Sequence, residues 1–249
     1  MRVFRLAGST LAAVALLATP ATARTVVHIS GIASPPILAF TTTPQPLSLS
    51  VDVRLRSDVP GHEPGTIKKA VVYFPHGPRV NGALFPSCNP ATLRAHRGST
   101  RACPRGSRIG SGTALGTSPQ FPDIDERLKV EVYNGPRGRS VVFWIHGDNP
   151  VSIAGMIDAP LQAIHSHRWA YRLTLDVPSN LQKLGTGIFA SLLRFTTKVG
   201  GTELVHGRRR GYIEVLACPP GALVPISSRF SFLGGSTASA SGYIACGGR

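Results

Sequence analysis

Residues 47–56 read LSLSVDVRLR, and the period of that stretch decides the fold class. Leu47, Leu49, Val51, Val53 and Leu55 alternate with Ser48, Ser50, Asp52, Arg54 and Arg56. Successive side chains of an extended chain point to opposite faces, so one face here is wholly apolar and the other wholly polar. A helix would mix the two sets. The pattern is that of a half-buried antiparallel strand, with one face on a core and the other in water.

Similar runs follow at short, regular spacing. Strands are expected at 67–74, 108–115, 128–134, 139–147, 151–157, 171–177, 191–199, 211–217, 226–234 and 236–246, with Gly and Pro falling between many of them. The link NGPRG (134–138) predicts a hairpin in which Asn134-Gly135 tolerates positive φ. Helix is expected only at 89–97 and in part of 178–190. About ten strands with so little helix point to an all-β fold, an antiparallel β-sandwich or jelly-roll. One domain is expected at 47–249, a break near 119–123 being the only candidate split, and no repeat of fixed period is present. Residues 24–46, rich in Thr and Pro, read as an extended N-terminal segment or a first edge strand.

The N-terminus speaks to compartment. Residues 1–23, MRVFRLAGSTLAAVALLATPATA, place Arg2 and Arg5 before an uncharged apolar run, then Pro20 and the small residues Ala21 and Ala23. This is the layout of a secretory signal peptide cleaved before Arg24. The apolar run of about thirteen residues is shorter than the ~20 that cross a bilayer as a helix. The mature chain is therefore expected outside the cytosol, secreted or in the cell envelope, with no transmembrane segment.

Export bears on the cysteines, of which there are four: Cys88, Cys103, Cys218 and Cys246. An even number in an oxidising compartment reads as two disulfides. A zinc site would show a close ligand pair such as C-x-x-C, which is absent, and a reactive thiol would leave one cysteine unpaired. Three pairings are open. Cys88–Cys103 and Cys218–Cys246 are favoured because each pair brackets one local unit. Inside the first, NPATLRAHRG offers Asn89 as helix N-cap, Pro90 at the first helical position and Gly98 as a stop. Closing a loop of this size contributes roughly 3 kcal/mol in the chain-entropy model.

Charge bears on partners. The full chain carries +15, and loss of Arg2 and Arg5 with the leader leaves +13. Such an excess suits an anionic glycan or another acidic envelope component. Arginine-rich, lysine-poor usage is also what a GC-rich genome produces without functional pressure. Most arginines are scattered, only Arg208-Arg209-Arg210 forms a run, and no aromatic residues interleave them, which argues against nucleic acid. The candidate binding residues are Arg101, Arg105 and Arg108 in the cysteine insert, with Arg208, Arg209 and Arg210.

Catalytic and metal signals are thin, and neither a catalytic residue nor a cofactor is assigned. His165 and His167 have a spacing that serves copper or zinc, but lack an obvious third ligand. Asp123, Asp125 and Glu126 lack the glycine and oxygen spacing of a calcium loop. WIHGDNP (144–150) could place His146 as a base beside Asp148, yet no G-x-S-x-G elbow supplies a nucleophile, and an ordinary turn explains the same residues. The glycines of PRGSRIGSGTA lack the lysine of a phosphate loop. Trp144, Trp169, Tyr171, Tyr212 and Tyr243 could line a sugar-binding face, though core packing accounts for them equally.

The segment FPSCNPATLRAHRGSTRACPRGSRIGSGTA (85–114), followed by VYNGP, YRLTLDVPSNLQ, ASLLRFTTKVG and GYIEVLACPPG, resembles a group of secreted, disulfide-containing β proteins of high-GC Gram-positive bacteria with no assigned activity. The likeness runs from about Leu47 to Cys246. Its most specific marks are C-P-x-G-S-x-I-G-x-G-x-A and the late cysteine pair. An aromatic residue often follows the third cysteine in that group, where this chain has CPPGALVPISSRF. The resemblance implies an exported β protein and transfers no catalytic residue.

Three functions compete on this reading: a non-enzymatic binder of an anionic glycan or wall component, a wall-glycan hydrolase using His146, Asp148 or the His165/His167 pair, and a structural coat protein. The first is preferred. A thiol-alkylating reagent applied to the folded, unreduced protein is expected to label none of the four cysteines, measured by intact mass.

Overall fold

The structure, a computed structural model, describes residues 23–37 and 42–247. The predicted signal peptide lies outside the described residues apart from Ala23. In chain order the strands are β1 (Thr25–Ser34), β2 (Gln45–Ser57), β3 (Ile67–Pro75), β4 (Arg79–Val80), β5 (Arg108–Ser118) and β6 (Phe121–Asn134). Then come β7 (Ser140–Gly147), β8 (Ile153–Ala163), β9 (Trp169–Asp176), β10 (Lys183–Gly185), β11 (Ile188–Phe189) and β12 (Ser191–Val199). The last are β13 (Thr202–Val205), β14 (Arg208–Gly211), β15 (Ile213–Val215), β16 (Leu223–Phe232) and β17 (Thr237–Cys246), with two short helices, α1 (Pro90–Ala95) and α2 (Ser179–Gln182).

The all-β expectation holds, but the sandwich does not. Eleven strands close into a barrel in the order β1-β17-β16-β3-β9-β8-β7-β6-β5-β12-β2 and back to β1. Every neighbouring pair is antiparallel except β1 and β17, which run parallel through Gly31↔Ile244, Ile32↔Ala245 and Ala33↔Cys246. A sandwich would leave free edges; here β1 fills the gap between the last strand and β2 and removes them. Residues 25–34 are thus a stave with two neighbours, not an edge. The candidate split near 119–123 is a hairpin turn, across which Ser118 pairs with Phe121.

Alternation decides what the barrel holds. Val27, Ile29, Val53, Leu55, Val130, Val132, Ile226 and Phe230 join one continuous core. Phe143 of β7 meets Phe195 of β12 at 6.1 Å although β6 and β5 stand between them in the wall, so the contact crosses the interior. Their partners in alternation, such as Arg54, Arg56, Arg127 and Lys129, face out and are exposed. An apolar lumen under a polar outer wall is the reverse of a membrane-spanning barrel. Separately, no helix among the described residues is long and apolar enough to cross a membrane. At one end α2 presses Leu181 against Gly155, where a Cβ would come within 2.4 Å of the leucine.

Both favoured disulfides are present, Cys88–Cys103 and Cys218–Cys246. The first closes the insert as predicted: Asn89 Oδ1 accepts from Ala91 N at 2.9 Å, Pro90 opens α1, and Gly98 follows with φ +75°. The insert is more than an exposed loop. Leu93, Cys88 and Cys103 pack with Tyr133, Val142, Trp144 and Met156 into a second core on the outside of β6, β7 and β8. This explains why SVVFWIHG does not alternate: β7 is covered on both faces. The 134–138 hairpin forms as expected between β6 and β7, but the positive φ angles fall on Arg137 (58°) and Gly138 (66°), not on Asn134-Gly135. Asn134 is held instead by its side chain, which donates to the carbonyls of Gly82, Phe85 and Pro86.

Gly98 is where the insert touches the wall most tightly, since a Cβ there would lie 1.9 Å from the Trp144 indole. Gly98→Ala is expected to destabilise the protein by about 2–3 kcal/mol through this clash and the left-handed φ. Denaturation midpoints measure the loss, and a red-shifted Trp144 emission would report the insert lifting from the barrel.

Candidate polyanion-binding surface

Barrel closure sets strands far apart in sequence side by side, and their outward positions fall into cross-strand rows. Arg54 of β2 is opposite Arg194 of β12, Arg194 opposite Leu115 of β5, and Leu115 opposite Arg127 of β6. Residues directly opposite in an antiparallel pair share a face, and three strand spacings make this row ~14 Å long. The next row reads Asp52, Thr196, Thr113, Lys129 and His146, and a third places Lys198 between Ser50 and Ser111. Arg54, Arg194, Arg127, Lys129 and Lys198 are all exposed. Five cations from three strands thus share one four-stranded wall.

The wall is organised as well as charged. Asp52 accepts from Arg54 (Nη2–Oδ2 3.0 Å) and from Arg194 (Nε–Oδ1 3.0 Å and Nη2–Oδ2 2.8 Å), tying β2 to β12. Burial opposes the charge on Asp52, but the Arg194 and Arg54 hydrogen bonds hold its carboxyl below the usual range. One carboxylate between two guanidinium groups leaves net positive charge. Thr113 and Thr196 hydroxyls meet at 2.8 Å within the second row. Beside them an open concavity of ≈ 410 Å³ is lined by Asp125, Arg127, Lys129, His146 and Asp148.

Of the sequence-predicted arginines, Arg108 opens β5, and Arg208, Arg209 and Arg210 lie on the β13–β14 hairpin that continues from β12, at one end of the same wall. The insert meets the β13–β14 hairpin at Gly106, where a Cβ would lie 2.2 Å from Glu203 Oε1. Arg108 pairs with Glu131 on β6 at 3.3 Å. Arg101, Arg105 and Arg208 are exposed, their side chains having no hydrogen-bond or ion-pair partner among the described residues, and Arg209 Nε donates to Thr202 Oγ1 at 3.1 Å. Arg210 is committed elsewhere: its Nε and Nη2 bind Glu214 at 3.0 and 2.9 Å. Glu214, 1% exposed, also accepts from Gly211 N and Asn81 Nδ2, both at 2.8 Å. Arg210 anchors the hairpin that presents Arg208 and Arg209.

The enzymatic candidates do not assemble into one centre. His146 and Asp148 share the concavity, but among the described residues no hydrogen bond joins them, and Asp148 accepts from Ser152 Oγ at 3.0 Å. His165 and His167 follow the far end of β8, whereas His146 pairs with Ala154 near its start, so ~30 Å of strand separates them. Among the described residues no three metal-ligating side chains converge. Of the aromatic candidates, Trp144 and Tyr212 are buried in the packing, as core residues are.

No family model, curated protein or solved structure matches this chain. The surface therefore rests on its own geometry. Sequence reading missed Arg54, Arg194, Arg127, Lys129 and Lys198 as a group. Their one visible signal was an outward position in a period-2 run, which says nothing about neighbours.

The Arg210 hydrogen bonds, working against burial and helped by Gly211 N and Asn81, hold the Glu214 carboxyl down at about 2. The folded value lies below the ordinary 4.5, so the stabilisation is present above pH 4.5 and is lost as pH falls towards 2. Glu214→Gln is expected to lose roughly 2–3 kcal/mol at pH 7. The gap between variant and parent should narrow across that acid window, measured by denaturant melts at stepped pH.

Proposed function

We propose that this protein is an exported, non-enzymatic binding protein of the cell envelope or extracellular space that grips an anionic glycan or other acidic wall polymer. The observation that carries the reading is the row Arg54–Arg194–Leu115–Arg127 with Lys129 and Lys198 beside it. A linear polyanion laid across β2, β12, β5 and β6 would meet several cations at strand spacing while its hydroxyls bond the threonines between them. Exposed Arg208 on the hairpin, with Arg105 next to the Gly106 contact, lengthens the track. Such a surface selects charge density over detailed ligand shape, and its attraction weakens with salt.

Export belongs to the same proposal, as does the resemblance to secreted proteins of high-GC Gram-positive bacteria. Two disulfides are compatible with an oxidising compartment. Arg24 N lies 2.6 Å from Asp58 Oδ1, and Asp58 N donates back to Arg24 O at 2.9 Å. Cleavage before Arg24 would create an α-ammonium group with a carboxylate already in place.

Retention on heparin and on purified anionic wall polymer, read as the salt concentration at elution, tests the proposal. Arg127→Glu with Lys129→Glu should elute at clearly lower salt than the parent. Lys68→Glu with Arg229→Glu makes the same charge change on β3 and β16 across the barrel, and should elute close to the parent. Equal losses from the two pairs would show that net charge, not this wall, governs retention.

A further inference from the structure

A second feature lies at the barrel end where β6 begins, and the charged wall does not account for it. Glu126 faces inward on β6, in line with Leu128, Val130 and Val132, and is 5% exposed. Its Oε2 accepts from Val151 N at 2.9 Å. Its Oε1 is buried with no hydrogen-bond partner. A carboxylate oxygen withdrawn from water without a donor is costly, so an orphan of this kind calls for a physical reason.

The surroundings suggest one. Glu126 lines a cleft otherwise walled mainly by apolar side chains, among them Phe121, Ile124, Leu128, Leu181 and Leu184. Phe121, Ile124 and Val151 at its rim are 49%, 45% and 38% exposed, unusually open for such residues. Gly147 flanks Oε1: a Cβ there would come within 2.7 Å of the oxygen, so any larger residue would crowd it. An apolar cleft holding a single acceptor that lacks its donor is complementary to an apolar ligand that brings one.

We propose that this cleft binds a primary ammonium group carried on a short, unbranched aliphatic chain. The ammonium donates to Glu126 Oε1, and the chain displaces water from Ile124, Leu181 and Leu184. The cleft offers ≈ 80 Å³, and at ~10–15 Å³ per water-sized group it holds roughly six such groups. That size admits a short alkylammonium or the end of a lysine-like side chain. The site is independent of the polyanion wall, which selects the opposite charge.

The probe is n-hexylammonium chloride, titrated into the mature chain and followed by amide NMR shifts at Val151, Leu128 and Leu181. Hexanoate and 1-hexanol serve as matched controls. Hexylammonium is expected to give saturable shifts at these amides, with hexanoate at least tenfold weaker. Glu126→Gln should weaken hexylammonium at least tenfold while leaving 1-hexanol unchanged. Ile124→Lys, at an exposed position that tolerates the change, should place a tethered ammonium at the rim and compete with the probe. This second variant keeps the test open if Glu126→Gln does not fold. The proposal is overturned if no saturable shift appears, which would mean that internal water satisfies Oε1. It is equally overturned if the three probes bind alike, or if neither variant alters hexylammonium affinity.

Discussion

The parallel pairing of β1 with β17 is the contact on which the rest of the structure depends. Three register pairs join the first described strand to the last, while the other edge of β1 is zipped to β2 from Thr25↔Ser57 to Ser34↔Ser48. Without β1, β17 and β2 would each present an open row of backbone donors and acceptors. With it, every barrel strand has two neighbours and the apolar faces of eleven strands turn onto one core. Closure is tight at this seam. A Cβ on Gly31 would lie 2.9 Å from Ser50 O, and one on Gly242 would lie 1.8 Å from Ile29 O, so both positions exclude a side chain.

Closure also divides the outer surface by use. Over β6, β7 and β8 the wall is apolar near Trp144 and is covered by the disulfide-closed insert. Over β2, β12, β5 and β6 it is uncovered and basic. These two regions meet at Glu131, which pairs with Arg108 from the insert side and accepts from Tyr133 OH at 3.1 Å. Burial, then the Glu131 carboxylate, pushes the Tyr133 phenol well above its ordinary range, so it remains a donor. The insert therefore runs into Arg108 against the charged wall, where the anchored β13–β14 hairpin presents Arg208 and Arg209.

Much of the local structure was legible in the residues. LSLSVDVRLR became β2 with the predicted face inward, 191–199 was bounded as expected, and the N-cap, proline and glycine of the insert framed α1. Each of these signals acts within a few residues, through side-chain alternation or a single hydrogen bond. The sandwich expectation failed because the same alternation serves any two-faced sheet, open or closed. Arg210 was read as a binding residue, but its carboxylate partner Glu214 is reached only after the chain turns through Gly211, Tyr212 and Ile213. Arg54 and Arg194 were passed over because two residues that share one carboxylate stand 140 positions apart in the chain.

What the amino-acid sequence determined by itself was the set of strands, the two local disulfide units and the surplus of positive charge. Which strands are neighbours was decided only by the tertiary structure. The reason is physical: strand pairing is made by backbone N–H and C=O groups that are the same at every residue, so the choice of partner is not written in any one segment. It emerges when all the apolar faces are buried together and the last free edge finds the first strand, and the basic wall and the acid-floored cleft are by-products of that closure.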